Sequence, residues 1–296
     1  MPQSTGPADS ILIVAPHPDD ETLSCGGVIQ RTRRSGGSVR VVFLTNGDGF
    51  VDATALHSGK AVDALIPQDY VEVARARQEA AADAGRNLGL DPADLVFLGY
   101  PDGGLAEVLK ATMDAPFTQP FTRLHATYGP RFQDYHTARY GAPAPYTARS
   151  ILSDLGDQIR EHDPRRIYVT DPADSHADHR AAFELTRTAM RAVRSDGWLY
   201  TFLVHTAEGR WPMPHGATPT LPFAVEVVDG EQVPAGVRWP PDHRFPLTAE
   251  EIRRKHEAIR AYALEMRILG PYVESFVKSE EVFWGGSRVW RGGTPA

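Results

Sequence analysis

The 296-residue chain carries 38 acidic and 31 basic side chains, a formal net charge of −7, which with no long basic run excludes nucleic acid or an anionic membrane as the main partner. Hydrophobic residues at 42% and charged residues at 23% are the balance of a soluble globular protein, not a disordered one. Cys25 is the only cysteine, which excludes an internal disulfide and a thiolate metal cage, so any metal must be held by histidine and carboxylate.

The first residues form neither a basic n-region nor an apolar h-region, and no apolar run approaches the ~20 residues of a membrane span. A cytoplasmic protein is expected, with residues 1–9 a disordered tail and 10–296 a single domain. Ile11-Leu12-Ile13-Val14 reads as a buried strand, and it runs directly into Ala15-Pro16-His17-Pro18-Asp19-Asp20-Glu21. Three adjacent acids repel one another, so they need a helix N-terminus or a bound cation nearby. A helix follows over 22–34 and stops at Ser35-Gly36-Gly37. Gly26 and Gly27 weaken that helix, which fits a helix pressed close against the sheet, the preferred packing reading, or a backbone that approaches a ligand. A second apolar strand at 39–45 ends in Asn46-Gly47-Asp48-Gly49. A helix over 71–88 precedes a third strand at 94–99, which ends in Tyr100-Pro101-Asp102-Gly103-Gly104. Residues 105–146, rich in proline and aromatic residues, read as an ordered lid.

A helix over 147–162 leads to a fourth strand at 165–170 and then to Asp171-Pro172-Ala173-Asp174-Ser175-His176-Ala177-Asp178-His179. A helix to about 194 and a strand at 198–204 follow, ending at His205. Residues 208–246 form a Pro-rich cap with a hairpin turning at Asp229-Gly230. Thr248-Ala249-Glu250-Glu251 has capping-box spacing and opens a final helix to about Met266, with a tail to 296. Apolar strands alternating with helices predict an α/β fold: a Rossmann-like, mostly parallel sheet with helices on both faces, plus the lid and a small C-terminal β/α cap.

The carboxyl ends of such strands share one edge, so the polar clusters that follow them converge there. His-Pro-Asp-Asp-Glu stands where a dinucleotide site needs Gly-x-Gly-x-x-Gly, so no nicotinamide cofactor is expected. His17, Asp20 and His179 make a two-histidine, one-aspartate set suited to catalytic zinc, with one position open. Asp19 is then the general base and His176, as an imidazolium, the group that steadies an oxyanion or protonates a leaving amine. Asp178 is placed to orient one of these imidazoles. Asp102 stands at a strand end, whereas Asp48 and His205 read equally as turn or core residues and as pocket residues. His57, His125, His136 and His162 are taken as surface or lid residues, and Cys25 as a small packing residue.

Pro16-His17-Pro18-Asp19-Asp20-Glu21 together with His176-Ala177-Asp178-His179 resembles the zinc-dependent N-acetylglucosaminyl deacetylases of the LmbE-like or PIG-L family. Thr45-Asn46-Gly47-Asp48-Gly49 and Leu98-Gly99-Tyr100-Pro101-Asp102-Gly103-Gly104 support the resemblance, which spans roughly residues 10–205. It implies zinc, or Fe2+ or another divalent metal, on His17, Asp20 and His179, with Asp19 as base and His176 as electrostatic or acid partner. It implies a small acetylated amino-sugar substrate, hydrolysed to acetate and a free amine. Asp102, and either Arg75 or Arg77, would hold the sugar hydroxyls. A metal-dependent esterase or amidase on a non-sugar substrate, a two-metal phosphoesterase and a non-catalytic sugar-binding relative are the competing readings. The oligomeric state is open, a homo-oligomer included.

Overall fold

The computed structural model describes residues 9–207, 209–233 and 236–290, without the Val233 side chain. The tail expected over 1–9 therefore lies, apart from Asp9, outside the described residues. In chain order the elements are β1 (Ser10–Ala15), α1 (Asp20–Arg34), β2 (Ser38–Thr45), α2 (Val51–Ser58), α3 (Pro67–Leu88), β3 (Leu95–Tyr100), α4 (Leu105–Lys110), α5 (Tyr135–Tyr140) and α6 (Ala148–His162). They continue with β4 (Arg166–Thr170), α7 (Ala177–Ala192), β5 (Trp198–Phe202), β6 (Glu226–Val228), β7 (Glu231–Val233), β8 (His243–Pro246), α8 (Ala249–Ala261), α9 (Ala263–Glu274) and β9 (Glu280–Arg288).

One seven-stranded sheet runs in the order β3-β2-β1-β4-β5-β9-β8. The first five strands are parallel, and β9 and β8 each join antiparallel. β1 is buried on both faces because successive side chains alternate. Ile11, Ile13 and Ala15 enter one apolar cluster with residues of α1, α3 and α8, while Leu12 and Val14 enter the other with residues of α4, α6 and α7. That double burial is why its sequence reads as a continuous apolar run. The order reverses between β1 and β4, so the loops leaving these two strands diverge and open a crevice at the carboxyl edge.

Local chemistry places the helix ends. Gly89 leaves α3 in the left-handed conformation, φ 87°. Thr248 caps α8, accepting from the Glu251 amide while Glu251 accepts from the Thr248 amide. The hairpin expected at Asp229-Gly230 is the β6–β7 pair, and both turn residues have positive φ, 50° and 85°.

The chain departs from the sequence reading after residue 248. The single helix expected to Met266 is two, broken at the non-helical Tyr262, and α9 is kinked at Leu269 beside Pro271. The expected tail contains β9, which extends the main sheet and sends Glu281 back into the core. Glu281 accepts from the Gly27 amide at 2.7 Å, the Val28 amide at 3.0 Å and Lys255 Nζ at 2.8 Å. This explains Gly26 and Gly27: a Cβ on Gly26 would stand 3.0 Å from Lys255 Cγ, and one on Gly27 2.1 Å from Leu247 Cδ2. Residues 105–146, expected as an ordered lid, contain α4 and α5. They pack beside the sheet, where Gln119 and Tyr128 donate to Asp48 at 3.0 and 2.5 Å.

Glu281 and Lys255 are both buried, so removing one partner strands a charge away from water. Glu281→Ala is expected to lower the unfolding free energy by about 3–5 kcal/mol, read from denaturant titration.

Candidate metal centre and active site

The turn from β1 into α1 carries His17 and Asp19, with Asp20 at the start of α1; the loop leaving β4 carries Asp174 and His176, with His179 in the first turn of α7. Because β1 and β4 are neighbours in the sheet, the two groups meet. His17 Nδ1 lies 3.2 Å from His179 Nε2 and 3.5 Å from Asp20 Oδ2, and His179 Nε2 lies 3.4 Å from Asp20 Oδ2. A tetrahedral ion with bonds of about 2.0–2.1 Å sets its ligand atoms about 3.3–3.4 Å apart, so the triangle has the edge lengths of three corners of such a site.

The hydrogen bonds fix which nitrogens face the triangle. His179 Nδ1 lies 3.0 Å from Asp174 Oδ2, so that nitrogen carries the proton and Nε2 presents its lone pair. His17 Nε2 pairs with Asp102 Oδ1 at 3.0 Å, and Nδ1 is the His17 nitrogen that faces the triangle. Two imidazole nitrogens and a carboxylate oxygen at such distances are a donor set that fits a divalent metal. Although burial opposes charge on both groups, the carboxylates of Asp102, Asp178 and Asp20 hold the His17 imidazole well above its ordinary pKa, and the His179 and His17 imidazoles hold Asp20 well below the usual carboxylate range. Two further sets stand within reach of one ion: the imidazoles of His17, His176 and His179, and His17 with Asp102 and Asp178.

A cavity of about 240 Å³ opens beside this corner, lined on its polar side by Asp19, Asp102, His176 and His205 and on its apolar side by Leu23, Phe50, Leu269 and Val273 among others. Burial, reinforced by the carboxylates of Asp20 and Glu265 against the pull of Arg77, pushes the Asp19 carboxyl well above its ordinary range. Asp19 also has φ 128°, a conformation a non-glycine residue adopts only when its surroundings hold it there. His176 caps α7, its Nδ1 accepting from the Asp178 amide at 3.2 Å, so the neutral ring carries its proton on Nε2. Burial and the imidazoles of His17 and His179 push its pKa down to about 4, which disfavours the imidazolium expected from the sequence.

Several expected residues take other positions. Asp178, expected to orient an imidazole, is fully buried and accepts from the Gly103 and Leu105 amides at 2.7 and 3.0 Å, so it clamps the turn that carries Asp102; its nearer oxygen is 3.6 Å from His17 Nε2. Asp48 is off the cavity, held by Gln119 and Tyr128, and burial beside Asp102 pushes it up to about 7. Arg75 projects outward to Glu72, since two positions along a helix turn a side chain by roughly 200°. Arg77 faces inward, with Nε 2.6 Å from Glu265 Oε1 and Nη2 3.4 Å from Asp19 Oδ2. His205 does line the cavity, its Nδ1 2.9 Å from the Tyr272 hydroxyl, and burial together with His179 pushes it down to about 3. Cys25 is buried, as expected of a packing residue.

The sequence reading passed over Asp174, whose Oδ2 accepts from the Val204 and His205 amides as well as from His179, because an aspartate after Asp-Pro looks like a turn residue. Phe50, Glu265, Leu269 and Tyr272 were missed too, since nothing in their local pattern separates them from ordinary packing residues.

The fold opens a carboxyl-edge crevice at the β1/β4 switch and sets a two-histidine, one-aspartate corner in it. The family described as PIG-L, GlcNAc-PI de-N-acetylase, matches residues 12–190, and the chain belongs to it. A 1D-myo-inositol 2-acetamido-2-deoxy-α-D-glucopyranoside deacetylase of Tsukamurella paurometabola is 28% identical over 87% of this chain and 83% of its own. Among solved structures, the N,N′-diacetylchitobiose deacetylase of Pyrococcus horikoshii shares the fold at TM-score 0.54 and 17% identity, covering 94% of this chain and 83% of that one. A 4-carboxy-2-hydroxymuconate hydratase of Pseudomonas putida shares it at TM-score 0.50 and 17% identity, covering 88% and 84%.

Asp174→Ala removes the acceptor that fixes the His179 tautomer. Affinity for a divalent metal, measured by competition with a chromophoric chelator, is expected to fall by about 10–100-fold.

Proposed function

We propose that the protein is a zinc-dependent N-deacetylase that removes the acetyl group from an N-acetylglucosamine-type conjugate, giving acetate and a free amine. The fold does not choose this reaction, since a hydratase shares it. The observation that carries the reading is the site: a cation-shaped corner, a carboxyl of raised pKa and a neutral imidazole N–H border one cavity. The T. paurometabola relative, named for deacetylation of a glucosamine–inositol conjugate, supports the substrate class. We read 10–296 as one domain, because β8 and β9 extend the sheet that β1 begins.

His17 Nδ1, Asp20 Oδ2 and His179 Nε2 hold the metal. Zinc bound there supplies Lewis acidity to the amide carbonyl and to the attacking water. Asp19 takes a proton from that water, the task its raised pKa suits. His176 donates its Nε2–H to the carbonyl oxygen as charge builds on it, a stabilisation that needs no charge on the ring. The carbon–nitrogen bond then breaks, and the proton held on Asp19 passes to the departing nitrogen. Atoms balance with one water consumed. Asp102, tied to His17 and to the Gly49 amide at 2.5 Å, faces the cavity where a sugar hydroxyl would lie. Arg77, which also lines the cavity, donates to the Pro18 and Gly47 carbonyls and pairs with Glu265 and Asp19.

The test is acetate release from a panel of N-acetylglucosamine conjugates. Release is expected from the zinc-loaded protein, to vanish on chelation and to return with zinc; the absence of release from every conjugate would overturn the sugar deacetylase reading. Asp19→Ala is expected to lower turnover by about 10²–10⁴-fold while metal content, measured by elemental analysis, stays at the wild-type level.

A further inference from the structure

The conformation of Asp19 needs an explanation. Its φ of 128° is costly for an aspartate, and its side chain makes no helix-cap hydrogen bond that would offset the cost. Two chains of polar contacts reach it from behind the site, and both begin at the α8–α9 junction.

The first starts at Tyr262, the non-helical residue between the two helices. Its hydroxyl donates to Glu21 Oε1 at 2.6 Å, and Glu21 Oε2 accepts from the Asp19 amide at 3.1 Å. Thr22 Oγ1 holds the same Glu21 oxygen at 2.5 Å, so the carboxylate has little freedom to turn. The second starts at Glu265, three residues on. Its Oε1 lies 2.6 Å from Arg77 Nε, and Arg77 Nη2 donates to the Pro18 carbonyl at 2.8 Å and stands 3.4 Å from Asp19 Oδ2. Arg77 Nη1 also donates to the Gly47 carbonyl at 3.0 Å, and a Cβ on Gly47 would stand 2.0 Å from that nitrogen, so the neighbouring loop is shaped to admit the guanidinium. Tyr262, Glu265, Arg77 and Glu21 are all buried. One chain thus holds the Asp19 amide, and the other holds the preceding carbonyl and the Asp19 carboxylate.

We infer that Tyr262 and Glu265 are positioning residues that keep Asp19 in its strained, cavity-facing conformation, Tyr262 through Glu21 and Glu265 through Arg77. The inference rests on Asp19 being the base of the proposed reaction. It gives the C-terminal helices a part in the chemistry although they lie outside residues 12–190, the stretch that matches the family. It also gives Arg77 a structural task beside the sugar-binding one expected from the resemblance.

The experiment uses full-length Tyr262→Phe, Glu265→Gln and the double variant, each loaded with zinc and checked for metal content and thermal midpoint. Each single variant is expected to lower kcat for acetate release by about 10-fold or more with KM within about twofold, because the base is displaced while the metal and the cavity walls remain. Crystal structures supply a readout that does not depend on the reaction: the double variant should show Asp19 relaxed to negative φ, with its carboxylate turned from the cavity. Wild-type kcat in folded, metal-loaded variants overturns the inference, as does a loss of kcat that merely tracks lost metal, or an Asp19 conformation unchanged in the double variant. If the wild-type protein releases no acetate, the deacetylase reading fails by itself, and the conformation of Asp19 in the double variant still decides whether the two chains hold it.

Discussion

Two imidazole nitrogens and a carboxylate oxygen meet within 3.2–3.5 Å, and the surrounding structure serves to keep them there. His17 Nδ1 and His179 Nε2 stand within hydrogen-bond reach of each other, and both face the same Asp20 oxygen. Asp102 holds the far nitrogen of His17, and Asp174 holds the far nitrogen of His179. The Asp20 carboxylate is fixed by the His17 amide at 2.9 Å. Each ligand is therefore oriented by a second contact, as in metal centres whose outer partners set tautomer and direction.

Those contacts come from far apart in the chain. Asp174 ties the end of β4 to the end of β5 through two backbone amides, and Asp178 ties the end of β3 to the start of α7. The parallel sheet brings the strand ends together, and carboxylates lock them. Such buried carboxylates are tolerable only when their oxygens are filled, and here backbone amides do much of the filling. The apolar wall of the cavity has another source. Leu269, Tyr272 and Val273 come from the kinked part of α9, so the break in that helix shapes the side of the pocket facing the corner.

What the sequence reveals follows the range over which its signals act. The meeting of His17, Asp20 and His179 was legible because each follows an apolar strand within a short stretch of chain, and a parallel sheet gathers such stretches at one edge. The close approach at Gly26 and Gly27 was legible too, although not its partner, Glu281, 254 residues away. The choice between Arg75 and Arg77 was not, since either could face inward until the packing of α3 decides. β9 escaped notice because Gly285 and Gly286, both at positive φ, interrupt a pattern that otherwise alternates weakly. Asp174 and Glu265 resemble a turn residue and a surface helix residue, and only tertiary contact makes them otherwise.

The claim on which the account depends is the place of the metal. Crystals of the protein loaded with one equivalent of zinc, measured at the zinc absorption edge, test it most directly. The account predicts a single anomalous peak about 2.0–2.1 Å from His17 Nδ1, Asp20 Oδ2 and His179 Nε2. A peak instead among His17 Nε2, Asp102 and Asp178, or no ordered peak at full loading, would contradict it.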